Sequence, residues 1–188
     1  MIPLSSIHVD TAVAALKQGG ILAYPTEAVW GLGCDPFNQQ AVLKLLALKQ
    51  RPMDKGLILI AANVEQVEPY LQLLSPQERQ QVVDSWPSPT TWVVPVDASF
   101  PAWIRGEHFS VAIRVSAHPP VQALCSAFGG AIISTSANIT GQPTALTAEQ
   151  IVTIFADGID YILPASLGGQ KNPSQIRDAR TGAVLRPS

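Results

Sequence analysis

Residues 57–62, "LILIAA", are six consecutive apolar side chains with no polar position among them. A strand with one face in water alternates, so this run is too continuous for a surface strand and fits one in the middle of a sheet. The rest of the chain must supply that sheet and its cover. "ILAY" (21–24) and "AIIS" (131–134) read as further short buried strands, and "TTWVVPV" (90–96) as another. "SVAIRVS" (110–116) alternates strictly: Val111, Ile113 and Val115 point one way, and Ser110, Ala112, Arg114 and Ser116 the other. The tail "SQIRDARTGAVLR" predicts two short strands about a Thr-Gly turn.

Helices fall between these runs. One is predicted from a cap at Asp10 through Gln18, ended by Gly19-Gly20, and a second covers about 39–49. "SPQE" (75–78) is a capping box with proline at the first helical position, opening a helix to about 85. Another spans 120–128 and stops at Gly129-Gly130, and "TAEQ" (147–150) caps a further one. "PTEAVWGLGCDP" (25–36), punctuated by proline and glycine, reads as a loop. Strands and helices do not alternate strictly, and there is no internal repeat, so one α/β domain over 1–188 with a mixed sheet is expected.

Composition excludes several functions. With 188 residues, 47% of them hydrophobic and 14% charged, the chain can bury a core and is no disordered tail. A formal net charge of -2 excludes a globally basic nucleic-acid binder but leaves a local basic groove open. No apolar run approaches the ~20 residues of a membrane span. The start, "MIPLSSIHVD", has no charged region followed by an apolar one, so no signal peptide is expected. Cys34 and Cys125 lie far apart, which fits unpaired thiols in a cytoplasmic protein.

Several motifs are absent. There is no G-x-x-x-x-G-K-[ST], and Gly31-Leu32-Gly33 runs into Pro36 where a dinucleotide fingerprint needs its third glycine. His8, His108 and His118 make no metal-ligand spacing with the cysteines, so no metal ligand is assigned. A G-x-S-x-G elbow is also missing.

Three clusters remain. Lys49 and Arg51 straddle a helix exit, because the residue before Pro52 must already be extended, and Lys55 lies beyond the turn. Such cations suit a polyphosphate bound without a P-loop, or equally lysines complementing a helix dipole. On "SVAIRVS", a serine and an arginine share one strand face, as in a carboxylate or phosphate site, or as on any strand turned to water. "STSAN" (134–138) puts hydroxyls and an amide where a buried strand ends, which suits a ligand or a solvated turn. Together they favour a cleft for a small zwitterionic or phosphorylated ligand.

"YPTEAVWGLGCDP", "LKQRPMDKGLILI", "WPSPTTWV", "STSAN" and "NPSQIRDA", in this order, resemble the YrdC-type threonylcarbamoyl-AMP synthases, above all their short bacterial form. The resemblance runs from about Ile21 to Pro187, and the pairs Lys49/Arg51 and Ser136/Asn138 carry its K-x-R and S-x-N signatures. It implies a YrdC-like domain: a twisted mixed β-sheet flanked by helices, with a concave, positively lined cleft. It also implies that L-threonine, bicarbonate and ATP give threonylcarbamoyl-adenylate and pyrophosphate, for modification of tRNA beside the anticodon. Lys49 and Arg51 would be catalytic. They would bind ATP together with Lys55, Ser110, Ser136, Asn138, Thr144 and Arg186, while Arg114, Ser134 and Ser174 would hold threonine. Mg²⁺ is expected on the phosphates. The implied partners are tRNA threonylcarbamoyl-transfer proteins of the TsaB/TsaD/TsaE type, and weak tRNA or double-stranded RNA binding would rest on the cleft's cations. The family often has threonine at the position of Ala28, tyrosine at Trp30 and histidine at Ile60, so the threonine pocket is shaped differently here.

Two other functions fit the same cleft: a non-enzymatic RNA-binding or ribosome-assembly factor, and a carbamoyl-transfer domain like that of hydrogenase-maturation proteins. Preference for threonine over serine or alanine separates the first from a synthase. The second normally accompanies zinc-finger-like cysteines, which this sequence lacks.

Overall fold

The computed structural model describes residues 4–188. In chain order its main elements are α1 (Ser6–Lys17), β1 (Leu22–Pro25), β2 (Trp30–Gly33), α2 (Gln39–Leu48), β3 (Ile58–Ala61), α3 (Pro76–Asp84), β4 (Thr90–Pro95), α4 (Ala102–Arg105), β5 (Ser110–Val115), α5 (Pro119–Phe128), β6 (Ile132–Ser136), α6 (Ala148–Phe155), β7 (Tyr161–Ile162), β8 (Gln175–Asp178) and β9 (Val184–Arg186). The strands form one mixed sheet in the order β7-β1-β2-β6-β3-β5-β4-β8-β9. The apolar run at 57–62 is central as expected: β3 lies parallel to β5 on one side and antiparallel to β6 on the other.

Two apolar layers cover the sheet. Leu59, Ala61, Val111, Ile113, Val115 and Ile133 pack with α2, α3, α4 and α6 on one face. Leu22, Tyr24, Ile60 and Ile132 pack with α1 and α5 on the other. The alternation of "SVAIRVS" is therefore real, with its three apolar residues in the first layer. The capping box opens α3 as the sequence predicts: the Ser75 hydroxyl accepts from the Glu78 N–H, and the Glu78 carboxylate accepts from the Ser75 N–H (2.7 Å). Thr147 caps α6, and α5 ends at Gly129 in the left-handed conformation.

Two expectations need correction. The first helix is capped at Ser5, a turn before Asp10. The stretch 25–36 is not a loop throughout: Trp30–Gly33 forms β2, hydrogen-bonded to β1 and β6. It escapes pattern recognition because its two glycines have no side chains to alternate. Gly33 is required by close approach, since a Cβ there would lie 2.3 Å from the Ile133 carbonyl oxygen. Four-residue α4 and two-residue β7 are too short to show a period in the sequence.

Candidate active site

The α1–α5 layer covers only part of its face. Ile60 faces Ile132 across the β3–β6 pair beneath those helices, but the next pair, Ile58 and Ser134, lines a cleft of about 250 Å³. Ser134 and Ser136 on β6, Arg114 on β5, and Gly31 on β2 contribute to its floor. The β1–β2 turn brings Glu27, Ala28 and Val29, and Arg51 comes from the α2 exit. Thr144 lies on the loop before α6, and Ser174 and Arg186 come from the C-terminal hairpin. The three arginines are more than 60 residues apart in sequence and converge only through the sheet.

The charges are arranged in detail. Arg114 Nη1 donates to Glu27 Oε2 at 2.7 Å, and both side chains are less than a tenth exposed. The Ser116 hydroxyl donates to Glu27 Oε1 (2.6 Å), and Ser116 Oγ accepts from the His118 N–H (3.1 Å). Burial alone would raise the Glu27 carboxyl, but Arg114 and the Ser116 hydroxyl outweigh it and hold the group below its ordinary value. With both oxygens occupied, Glu27 fixes the Arg114 fork and is a poor candidate for a proton acceptor. No sequence pattern marked it, because its partners lie 87 and 89 residues away.

Arg51 donates through Nη2 to the Gly56 carbonyl (2.9 Å), while its buried Nε has no partner among the described residues. Burial lowers this guanidinium from its ordinary value. Arg186 donates to the Ser174 carbonyl (2.7 Å), and the Ser174 hydroxyl pairs with Thr91 Oγ1 (2.8 Å). Burial and then Arg114 lower Arg186 as well, so the cleft crowds positive charge that an anion would relieve.

Of the residues singled out in the sequence, Arg51, Arg114, Ser134, Ser136, Thr144, Ser174 and Arg186 line the cleft. Lys49, Lys55, Ser110 and Asn138 do not. Lys55 ends an exposed one-turn helix, Met53–Lys55, and Ser110 opens β5 opposite Pro95. Lys49 caps α2 but is only 2% exposed, and its ammonium donates to the carbonyls of Ser136 and Asn138. Burial, with Arg51 nearby, pushes that ammonium down to about 8. Ala28 and Trp30 line the cleft, whereas Ile60 is sealed under the helices.

For a metal, the donor set is unsuitable. Among the described residues no three His, Cys, Asp or Glu side chains come together, and the cleft's carboxylate is engaged with Arg114 and Ser116. No helix of the described residues is long and apolar enough to cross a membrane.

Comparison with known proteins matches the sequence and the fold. The sequence model of the Sua5/YciO/YrdC family, described as telomere recombination, matches residues 14–188. A protein of Cellvibrio japonicus named threonylcarbamoyl-AMP synthase is 49% identical over 181 residues, covering 96% of each chain. One of the same name from Pseudomonas aeruginosa is 49% identical over 185 residues, covering 98% of this chain and all of its own. Among solved structures, P. abyssi Sua5 complexed with L-threonine superposes with a TM-score of 0.86 at 30% identity. The match covers 94% of this chain and 52% of that longer one.

Proposed function

This chain belongs to the Sua5/YciO/YrdC family, and from that premise we propose that it is a threonylcarbamoyl-AMP synthase, converting L-threonine, bicarbonate and ATP into threonylcarbamoyl-adenylate and pyrophosphate. One observation carries the proposal from family to chemistry: three arginines and a row of hydroxyls meet in a single cleft whose one carboxylate is already neutralised.

The reaction needs that arrangement. Threonine's neutral amine attacks the carbon of bicarbonate and water is lost, giving a carbamate, and a carbamate oxygen then attacks the α-phosphorus as pyrophosphate leaves. Attacker and target are both anions, so the site must supply positioning and fixed positive charge rather than a nucleophile of its own. Arg51 and Arg186, with Ser136 and Thr144, would hold the triphosphate and nucleotide. Lys55 and Ser110, outside the cleft lining, would meet only the outer reaches of the ligand. Arg114, with its fork aimed by Glu27, would take the threonine carboxylate beside Ser134 and Ser174. Mg²⁺ would enter on the ATP phosphates as part of the substrate, since the described residues offer it no carboxylate cage.

The adenylate would pass to transfer proteins of the TsaB/TsaD/TsaE type in the cytoplasm. RNA contact would be weak and salt-sensitive, because it would rest on a few local cations. The test is to incubate the purified protein with ATP, bicarbonate and each amino acid in turn and to measure pyrophosphate. Release that requires both threonine and bicarbonate is expected. Equal release without an amino acid would remove the synthase assignment.

A further inference from the structure

Lys49 belongs to the K-x-R pair, yet its side chain is buried and outside the cleft lining that Arg51 joins. Its ammonium donates to two backbone carbonyls of the next loop, those of Ser136 and Asn138, the latter at 2.7 Å. Its own carbonyl accepts from the Thr140 N–H (2.9 Å) and from Thr140 Oγ1 (3.0 Å). The residue thus grips the 136–140 loop from both ends of itself. Within the loop, Ser136 Oγ donates to Asn138 Oδ1 (2.6 Å), and Asn138 Nδ2 donates to the carbonyls of Ile139 and Gln142 (2.9 Å each).

We infer that Lys49 is a positioning residue: it clasps the loop carrying Ser136 and Asn138 to the end of α2 and sets the cleft wall, without touching the nucleotide itself. This rests on the synthase assignment and deepens it, separating the two members of the K-x-R pair. Arg51 presents its charge to the ligand. Lys49 spends its charge on the backbone that presents Ser136. A neutral side chain of equal length would fill the space but leave the Asn138 carbonyl without a donor and the Ser136 carbonyl with only the Asn138 N–H (3.0 Å), and the loop would loosen. The burial that lowers the ammonium opposes a charge in this position, so the two carbonyl dipoles are what hold it there.

The test is a double-mutant cycle on kcat/KM for threonine-dependent pyrophosphate release, joined to amide hydrogen exchange on the ligand-free protein. Lys49→Met should lower kcat/KM by roughly ten- to a hundredfold, the range that a lost hydrogen bond to a charged group spans. In a Ser136→Ala background most of that loss should vanish, because the group being positioned is gone. Arg51→Ala, acting directly, should cost as much in that background as in the unaltered protein. Amides of 136–142 should exchange faster in Lys49→Met. A Lys49→Met loss that persists in full in the Ser136→Ala background overturns the inference, and so does unchanged exchange in 136–142. If Lys49→Met does not fold, Lys49→Gln carries the same cycle, since its amide can still serve one carbonyl. If the unaltered protein shows no threonine-dependent release, the synthase assignment fails by itself, and the exchange comparison still decides on the clasp.

Discussion

Glu27→Ala should destabilise the protein severely, although residue 27 sits on a turn where most substitutions are tolerated. The carboxylate is 6% exposed and its partner Arg114 7% exposed, so the substitution strands a guanidinium in a poorly hydrated place. Removing one member of a buried pair costs about 3–5 kcal/mol. The lower end applies here, because the pair borders the cleft and water reaches one side of it. The Ser116 hydroxyl also loses its acceptor. In a protein of this size ~3 kcal/mol corresponds to a fall in Tm of roughly 6–12 °C. Glu27→Gln, which keeps the shape and an acceptor for Arg114, should lose clearly less.

Titration separates this cause from a simple packing defect. Glu27 ionises below its ordinary value of 4.5 in the folded protein. Its contribution is therefore fully present above 4.5 and is lost as the pH falls through the lower, folded value. The gap in urea midpoint between the unaltered protein and Glu27→Ala should be wide at pH 7 and should contract below pH 4.5. A gap that stays constant with pH, or a Tm within a degree of the unaltered protein, would refute the idea that charge pairing holds this corner of the cleft.

Other substitutions address the remaining contacts. Arg51→Ala should cut pyrophosphate release by about 10²–10³-fold, the cost of one donor to developing negative charge, with little change in Tm. An unfolded variant would instead make Arg51 structural. Gly33→Ala should lower stability by about 1–3 kcal/mol, measured by urea denaturation, because the new methyl meets the Ile133 carbonyl oxygen at 2.3 Å. No change would mean that β2 can retreat from β6. Arg114→Lys retains a charge for Glu27 but loses the planar fork, so the apparent requirement for threonine should rise about ten- to a hundredfold and that for ATP much less. Paired saturation curves check this, and movement of the ATP curve alone would make Arg114 a phosphate residue.

The sequence disclosed what depends on neighbours along the chain. The unbroken apolarity of 57–62 located a central strand, the period of 110–116 located Arg114 on the face opposite the core, and Ser75 with Glu78 located a helix start. It was silent where the cause lies far away. Glu27 looked like one more polar loop residue because Arg114 is 87 positions on. Lys49 was open to two uses, a phosphate contact or a helix-dipole partner. Its bonds to carbonyls 87 and 89 positions on belong to neither, and no spacing rule links residues that far apart. β2 shows no pattern because its pairing is dictated by the flanks of β1 and β6 and not by its own two side chains, those of Trp30 and Leu32.

The position of the cleft follows from where the helices stop. On β3 and β6 the same sheet face carries Ile60 and Ile132 beneath α1 and α5, then Ile58 and Ser134 in the open. Had the helices covered the whole face, no ligand could reach the polar positions of β5 and β6. Had they covered none of it, the arginines would stand in bulk water, where a charge at 4 Å is worth only about 1 kcal/mol. The partial cover gives a site that is open to a nucleotide yet low enough in water for guanidinium groups to matter. The cost is a cluster of like charges, and among the described residues Arg114 is the one cleft arginine held in an ion pair, with Glu27. Arg51 and Arg186 are left to be neutralised by ligand, so binding ATP should itself stabilise the fold, by an amount that falls as salt screens the phosphates. A nucleotide-induced rise in Tm that is insensitive to salt would mean that the arginines are not what the phosphates meet.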